Sequence, residues 1–469
     1  MTSTRSGHDR GVVMTDETTA GGAVSPPATH QHIAVSMSGG GHRAALFGLG
    51  ALLYLVDAGK GPEIASIASV SGGSLTNGYV GLRVDLTETG STDRRERFWQ
   101  DVKPAAVASS TGGTVWAWWP TYAYLILLAA LLGLATWACF PLGAWPSIGV
   151  WLVTLLIVGW LARQRSRVAA GAFDAKLFDR ARLDEMNAGV DHVLTAADLQ
   201  TAEQVYLSGR FLYSYRLGWG NPAAIRVSWA AQASACLPGA FAPVGRSVAS
   251  HGFANARPEA PGRFLLVDGG VYDNMATEWP INVDGRIDLA GAPVPSPAVP
   301  DELIVVNASA AIEVSNRRSA RWPIIGEFTS LIADKDILYD QTTAVRRRML
   351  YARFRATRDG RPESPPISGV IAQIDRTPTA LASSFARGDD AAAERARRVL
   401  AALPDENWEL EAQRNSAVKT TLSKIDADRA ARLLRHAYAL VMADAVVLLD
   451  YPLIPVPDLT VFRSLVERT

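Results

Sequence analysis

The sequence predicts an α/β fold, with a mainly parallel central sheet covered by helices on both faces and interrupted by an inserted membrane-spanning helical hairpin. Three observations predict it. Short apolar runs end in glycine-rich turns and pass into helical spacing. That strand–turn–helix order recurs along the 469 residues, and one long stretch within it carries no charge.

The first element is the buried run His32 to Met37, which enters Ser38-Gly39-Gly40-Gly41. Apolar residues at helical spacing follow (Ala45, Leu49, Leu52, Leu53, Val56), so the order is strand, glycine loop, helix. Ile64 to Val70 repeats the pattern and leads into Ser71-Gly72-Gly73-Ser74. Further strands are expected at Arg263 to Val267, Glu302 to Val306 and Gly369 to Ile374. Helices are expected over Ile324 to Tyr351, Ala380 to Ala402 and Asp426 to Leu449. Strands alternating with helices imply a parallel sheet buried on both faces.

The inserted stretch is Pro104 to Ala162, 59 residues without Asp, Glu, Lys, Arg or His. Its first apolar run, Tyr122 to Phe140, has 19 residues, the length a helix needs to cross a ~30 Å hydrocarbon core. Its eight Leu, Ile and Phe side chains favour insertion by roughly 2 to 5 kcal/mol. Pro141, Gly143 and Pro146 supply a turn, and a shorter second run follows from Ile148 to Ala162, which leaves a re-entrant hairpin open. Seven of the 13 tryptophans lie between Trp116 and Trp160, near the ends of both runs. Arg94, Arg95, Arg97 and Lys103 lie before the stretch, and Arg163, Arg165 and Arg167 after it. The bias of basic residues toward the cytoplasm then puts both ends, and the α/β domain split by the hairpin, on that side. The expected organisation is a disordered tail over residues 1–30, a first part of the domain over 31–103, the hairpin over 104–167 and a second part over 168–469.

Composition narrows the function. Lys plus Arg and Asp plus Glu both number 46, so no global field favours nucleic acid. Two cysteines, Cys139 and Cys236, cannot build a disulfide framework, and no metal-ligand spacing is present, so neither metal nor cofactor is expected. The clusters Arg317, Arg318, Arg321 and Arg346, Arg347, Arg348 are candidates for attracting anionic headgroups or are simply solvated.

Three motifs carry chemistry. In Ser69-Val70-Ser71-Gly72-Gly73, a serine on a sharp strand-to-helix turn presents its hydroxyl outward, and small neighbours permit the tight backbone. Gly39, Gly40 and Gly41 at a helix start can leave N–H groups aimed at an anion, which in acyl transfer is the tetrahedral oxyanion. Asp268, at a strand end and followed by Gly269 and Gly270, can be held rigidly as a base, or can mark an ordinary Asp-Gly turn. His436 is the one histidine placed after Asp268 in the chain, where a Ser–Asp–His order would require it.

Taken together, SGGGHRAALFGLG, SVSGGS and VDGGVYDN resemble the patatin-like phospholipase family. Trp229 to Val244 and Thr420 to Tyr438 are similar to further stretches of that family. The resemblance implies a three-layer α/β/α patatin-like sandwich that hydrolyses lipid esters with a Ser-Asp dyad. It implies Ser71 as nucleophile, Asp268 as base, oxyanion donors from Gly39, Gly40 and Gly41, and a basic residue of the oxyanion loop at Arg43. Gly72, Gly73, Gly269 and Gly270 would support the two catalytic turns. Phospholipid, or another lipid ester, is the implied substrate and the bilayer the implied partner. This chain departs from the pattern at Ser38, where an acidic residue is frequent, and at Ser69, in place of the first glycine of the elbow. A lipid-binding or scaffold protein of the same fold without turnover is the alternative.

Overall fold

Residues 32–254, 256–282, 299–309, 325–361 and 365–467 are described by a computed structural model. The expected tail over 1–30 and the cluster Arg317, Arg318, Arg321 lie outside the described residues.

Strand β1 (Ile33–Met37) is apolar at every position but one and lies in the interior of the sheet. It pairs in parallel with β2 (Ile64–Ser69) on one side and with β9 (Glu302–Asn307) on the other. Strand β10 (Ser368–Gln373) extends the parallel set beyond β9, and β3 (Asp191–Asp198) extends it beyond β2. Strands β2 and β3 flank the hairpin in the chain yet are neighbours in the sheet, so the chain leaves and re-enters one layer.

Beyond β3 the sheet departs from the mainly parallel expectation. β4 (Glu203–Ser208), β5 (Leu212–Ser214) and β6 (Gly218–Gly220) follow as an antiparallel meander. β8 (Arg263–Asp268) also runs antiparallel to β3 and pairs with β7 (Val244–Ser247). Among the described residues the ten strands therefore form one mixed sheet. The cause is local: connections of only a few residues between β3, β4, β5 and β6 reverse the chain and leave no room for a crossover helix.

Alternation of side chains along β1 defines the layers. Ile33, Val35 and Met37 join a core built from α1 (Gly41–Asp57) and the helix Ala427–Leu449, whereas Ala34 joins Leu303, Val305, Leu350 and Phe354 on the opposite face. The last two belong to the long helix Ile325–Arg358. The helix α2 (Gly72–Arg83) follows β2.

The hairpin consists of α3 (Trp119–Cys139) and α4 (Ala144–Ala162), two helices long and apolar enough to cross a membrane by length and composition. Their outer faces are bare: Trp119 is 75%, Trp137 74%, Trp145 84% and Leu156 75% exposed. Tyr124 Oη donates to Leu161 O at 3.1 Å and fastens the bases of the two helices together. A short helix, α5 (Arg165–Phe173), returns the chain to the sheet. The later helices used below are α6 (Val227–Ser234), α7 (Ile325–Arg358) and α8 (Ala427–Leu449).

Candidate active site

The loop between β1 and α1 adopts backbone angles that side chains resist: φ is 141° at Gly40 and 60° at Gly41. Among the described residues, the N–H groups of these two glycines have no hydrogen-bond partner, as expected at the start of a helix. The N–H of Gly39 is different, because it donates to Asn274 O at 3.0 Å. Of the three glycines expected to supply oxyanion donors, two keep theirs and Gly39 instead ties the loop to the segment after Asp268.

A strap from the C-terminal part of the chain closes over this loop. His42 N donates to Thr421 O at 2.8 Å and Arg43 Nη1 donates to Val418 O at 2.5 Å. The His42 ring bridges Ser423 O through Nδ1 and Thr114 Oγ1 through Nε2, each at 2.8 Å. A carbonyl only accepts, so Nδ1 carries the proton and Nε2 accepts from the threonine hydroxyl. Burial pushes this histidine down to about 4, so it is neutral and serves as a clamp.

Ser71 stands between β2 and α2 with φ 51° and ψ −114°, outside the usual regions for a residue with a side chain. Such a conformation costs on the order of 1–3 kcal/mol and has to be held by its surroundings. Gly72 permits it: a Cβ there would stand 2.7 Å from the Gly41 carbonyl carbon, so elbow and glycine loop touch through backbone alone. Gly73 lies as tightly over Met37, at 2.8 Å from its Cβ.

A chain of small polar side chains holds the elbow from behind. Ser71 N donates to Ser234 Oγ at 2.9 Å, and Ser234 Oγ meets Ser74 Oγ at 2.8 Å. Ser74 Oγ lies 3.0 Å from Ser69 Oγ, which also accepts from Asn77 Nδ2 at 2.8 Å. His192 Nδ1 ends the chain on Asn77 Oδ1 at 2.8 Å. Ser69, the departure from the elbow pattern, is thus a satisfied member of this network and does not obstruct the turn. Of these side chains the elbow motif signals Ser69 and Ser74; Ser234 lies within the stretch Trp229 to Val244 that carried the weaker family likeness.

Asp268 ends β8, and its backbone pairs opposite Ala196 of β3. Its N–H donates to Cys236 O at 3.0 Å, and Gly270 N donates to its Oδ1 at 2.8 Å. Gly269 N reaches Ser234 O at 3.3 Å, so the aspartate turn and the elbow share one anchor on α6. Asn274 joins the loops from the front. A Cβ at Gly39 or at Gly270 would collide with its Oδ1. The same Gly39 position lies 3.3 Å from Ser71 Cβ, and the Gly270 position lies 2.9 Å from Asp268 Oδ1. Asp273 is a structural brace: fully buried, it accepts from the N–H groups of Met275 at 3.0 Å and Glu278 at 2.7 Å.

Ser71, Asp268, Gly39, Gly40, Gly41 and Arg43 all line one cavity of about 1040 Å³. Its far wall is largely apolar and includes Tyr124, Leu125 and Leu128 of α3 and Ala162 at the end of α4, with Arg165 at the start of α5 beside them. No histidine lines it among the described residues. His436 is buried elsewhere, with Nε2 facing Arg376 O at 2.8 Å, and burial pushes it down to about 4. Arg43 is 4% exposed and has no carboxylate partner among the described residues; its Nε is buried without a hydrogen bond. Burial lowers its pKa only to about 10, so it is a cation at neutral pH.

Among the described residues, no group of three or more His, Cys, Asp or Glu side chains is arranged to hold a metal ion. No curated protein matches the sequence. Among solved structures, the chain is similar to human GIVD cytosolic phospholipase A2 at 12% identity and a TM-score of 0.39, over 93% of this chain and 60% of that one, a likeness too remote to inform the site. The patatin-like phospholipase family model matches residues 35–279, which include the glycine loop, the serine elbow and the aspartate turn. With more than half of its length matched, the chain belongs to the patatin-like phospholipase family, whose chemistry is lipid acyl hydrolysis.

Proposed function

We propose that the chain is a membrane-associated hydrolase of phospholipid or lysophospholipid acyl esters, with Ser71 as nucleophile and Asp268 as its base. The observation that carries this reading is the shared cavity: a strained serine elbow, a carboxylate and two unpartnered glycine N–H groups face one apolar space.

Ser71 Oγ attacks the ester carbonyl carbon while Asp268 takes the hydroxyl proton. The carbonyl oxygen gains negative charge beside the N–H groups of Gly40 and Gly41, each worth ~3 kcal/mol to the transition state. The lipid alcohol leaves with the proton held by Asp268, and Ser71 remains acylated. Water then attacks the acyl carbon, Asp268 accepts its proton, and the fatty acid is released as Ser71 regains its hydrogen. Arg43 lies beside Gly40 as an unpaired cation and suits a substrate phosphate.

In this reading residues 104–167 are an insertion that seats the cavity against the bilayer. The exposed apolar faces of α3 and α4 support it, since soluble surfaces rarely carry so large an apolar patch. The basic residues flanking both ends favour two spans with the catalytic domain on the cytoplasmic side.

The test uses detergent-purified protein and the variants Ser71→Ala and Asp268→Asn. Both variants are expected to lose at least 1000-fold in kcat on phosphatidylcholine micelles, and Ser71→Ala to lose labelling by a fluorophosphonate probe. Wild-type protein that neither turns over lipid nor takes the label would identify a non-catalytic member of the family. Extraction at alkaline pH should leave the chain with the membranes, and release it when α3 and α4 are replaced by a Gly-Ser linker.

A further inference from the structure

A second cavity, of about 590 Å³, opens at the foot of the hairpin and shares none of the catalytic residues. Three parts of the chain converge on it. Arg163 and Arg167 come from the end of α4 and the start of α5, Arg246 and Arg263 from the antiparallel pair β7 and β8, and Trp229 and Gln232 from α6.

Its electrostatics are one-sided. Arg226 also lines it, but is committed to Asp174 at 3.2 Å, and Asp174 is the one carboxylate in the lining. Among the described residues, none of the other four arginines forms an ion pair. Arg167 Nη1 rests on the neutral Gln164 Oε1 at 2.7 Å. The Arg246 guanidinium lies 5.0 Å from the Trp229 ring centroid, and its Nε is buried without a hydrogen bond. Burial and the like charge of Arg167 both hold Arg246 below the usual arginine range.

The floor supplies an independent observation. Gln232 is fully buried, and neither its Oε1 nor its Nε2 has a partner. A buried amide without hydrogen bonds is costly and calls for a missing partner. Here it lines the same cavity as the four arginines that form no ion pair among the described residues. An oxyanion seated there accepts from the Gln232 amide and from several guanidinium forks at once, the geometry that arginine offers to phosphate.

From this we infer that the cavity binds the phosphate of an anionic phospholipid, at a site separate from the catalytic one. The phosphate-binding chemistry stands on the cavity itself; only the lipid as its source rests on the proposed membrane seat, which would put Arg163 and Arg167 at headgroup level. Gln232 lies two residues from Ser234 on α6, and Ser234 accepts the N–H of Ser71. A ligand held there therefore bears on the helix that supports the elbow.

The test is calorimetric titration of the full-length Ser71→Ala protein in neutral detergent with dihexanoyl phosphatidic acid, dihexanoyl phosphatidylcholine and inorganic phosphate. Phosphatidic acid is expected to bind at least tenfold more tightly than phosphatidylcholine. The exposed triple variant Arg163→Ala/Arg167→Ala/Arg263→Ala should weaken it tenfold or more, and Arg43→Met by less than twofold. Inorganic phosphate binding as tightly as phosphatidic acid, with the same sensitivity to the triple variant, would keep the site and assign it a soluble phosphate. Gln232→Leu guards against a folding artefact: it should melt no lower than its parent without ligand, yet bind phosphatidic acid at least threefold more weakly. Binding lost in Arg43→Met and retained in the triple variant, or absent altogether, would overturn the inference. Ser71→Ala activity is measured separately, so failure here leaves the hydrolase reading untouched.

Discussion

Ser234→Ala tests whether the elbow is held from behind. The substitution removes the acceptor of the Ser71 N–H at 2.9 Å and one partner of Ser74, while Ser74 keeps Ser69 at 3.0 Å. Ser234 is fully buried, so water does not readily replace the lost oxygen. An amide left unpaired there costs about 1–3 kcal/mol. That is as large as the ~1–3 kcal/mol stored in the left-handed backbone of Ser71, so the turn is expected to relax. If the whole loss falls on the transition state, kcat drops about 5- to 150-fold. KM should change little, because Ser234 is not among the residues lining the substrate cavity. The assay is kcat and KM on phospholipid micelles together with the rate of fluorophosphonate labelling, which reads Ser71 directly. Ser234→Thr keeps the hydroxyl and should recover most of the rate. A Ser234→Ala protein labelled within twofold of wild type would refute the account.

Two further predictions concern the core. His42, His192 and His436 are buried and held near 4, whereas unfolded histidines titrate near 6.5. At these three sites the unfolded chain binds more protons between those values, whereas Asp444, whose carboxyl burial pushes up to about 8, binds more in the folded chain and offsets one of them; stability should therefore fall on balance as pH falls from 6.5 to 4, by up to ~1.4 kcal/mol per pH unit for each histidine not offset, and a melting temperature flat across that window would contradict it. Gly50→Ala should lower the melting temperature even though alanine favours a helix by ~1 kcal/mol, because the new Cβ would stand 2.9 Å from Leu434 Cα and force α1 and α8 apart at ~1–3 kcal/mol; a melting temperature that rises would show that the two helices have room.

The parts of this fold legible in the sequence are those where one residue pattern has one physical meaning. The strands His32 to Met37, Ile64 to Val70 and Glu302 to Val306 are largely apolar runs, interrupted only by small serines or a polar first residue and followed by Ser-Gly or asparagine, and a run buried on both faces of a parallel sheet needs that composition. Ser71 and Asp268, which line one cavity, stand out in the sequence because glycines follow each of them. The meander β4, β5 and β6 was not, because its strands are short and mix Glu, Gln, Ser and Tyr with few apolar residues. Missing it led to the expectation of a mainly parallel sheet. The expected helix Ala380 to Ala402 is broken into Pro378–Phe385 and Ala391–Ala402, where Gly388 and the N-cap Asp390 punctuate it. Ser234 and Asn77 were hidden for another reason. Their roles come from contacts between segments far apart in the chain, and a lone serine or asparagine carries no periodicity that reports such a contact.

The shared wall between hairpin and cavity makes substrate length the sharpest remaining question. Tyr124, Leu125 and Leu128 lie within little more than one turn of α3 and face the cavity, whereas Ile126, 67% exposed, faces outward. If the hairpin only anchored the protein, the identity of Leu128 would not affect which acyl chain is cleaved. If α3 also forms the acyl channel, Leu128→Trp fills part of that channel while leaving the outer face of the helix untouched. Obstructing one or two methylenes in an apolar channel is worth ~1–3 kcal/mol, about 10- to 200-fold in kcat/KM. The variant should therefore lose at least tenfold on a palmitoyl ester relative to a butyryl ester and remain in the membrane fraction. Ile126→Trp, on the outer face, should leave that ratio within twofold of wild type. Equal ratios in both variants would mean that the acyl chain leaves the site by another wall, and that the hairpin serves attachment alone.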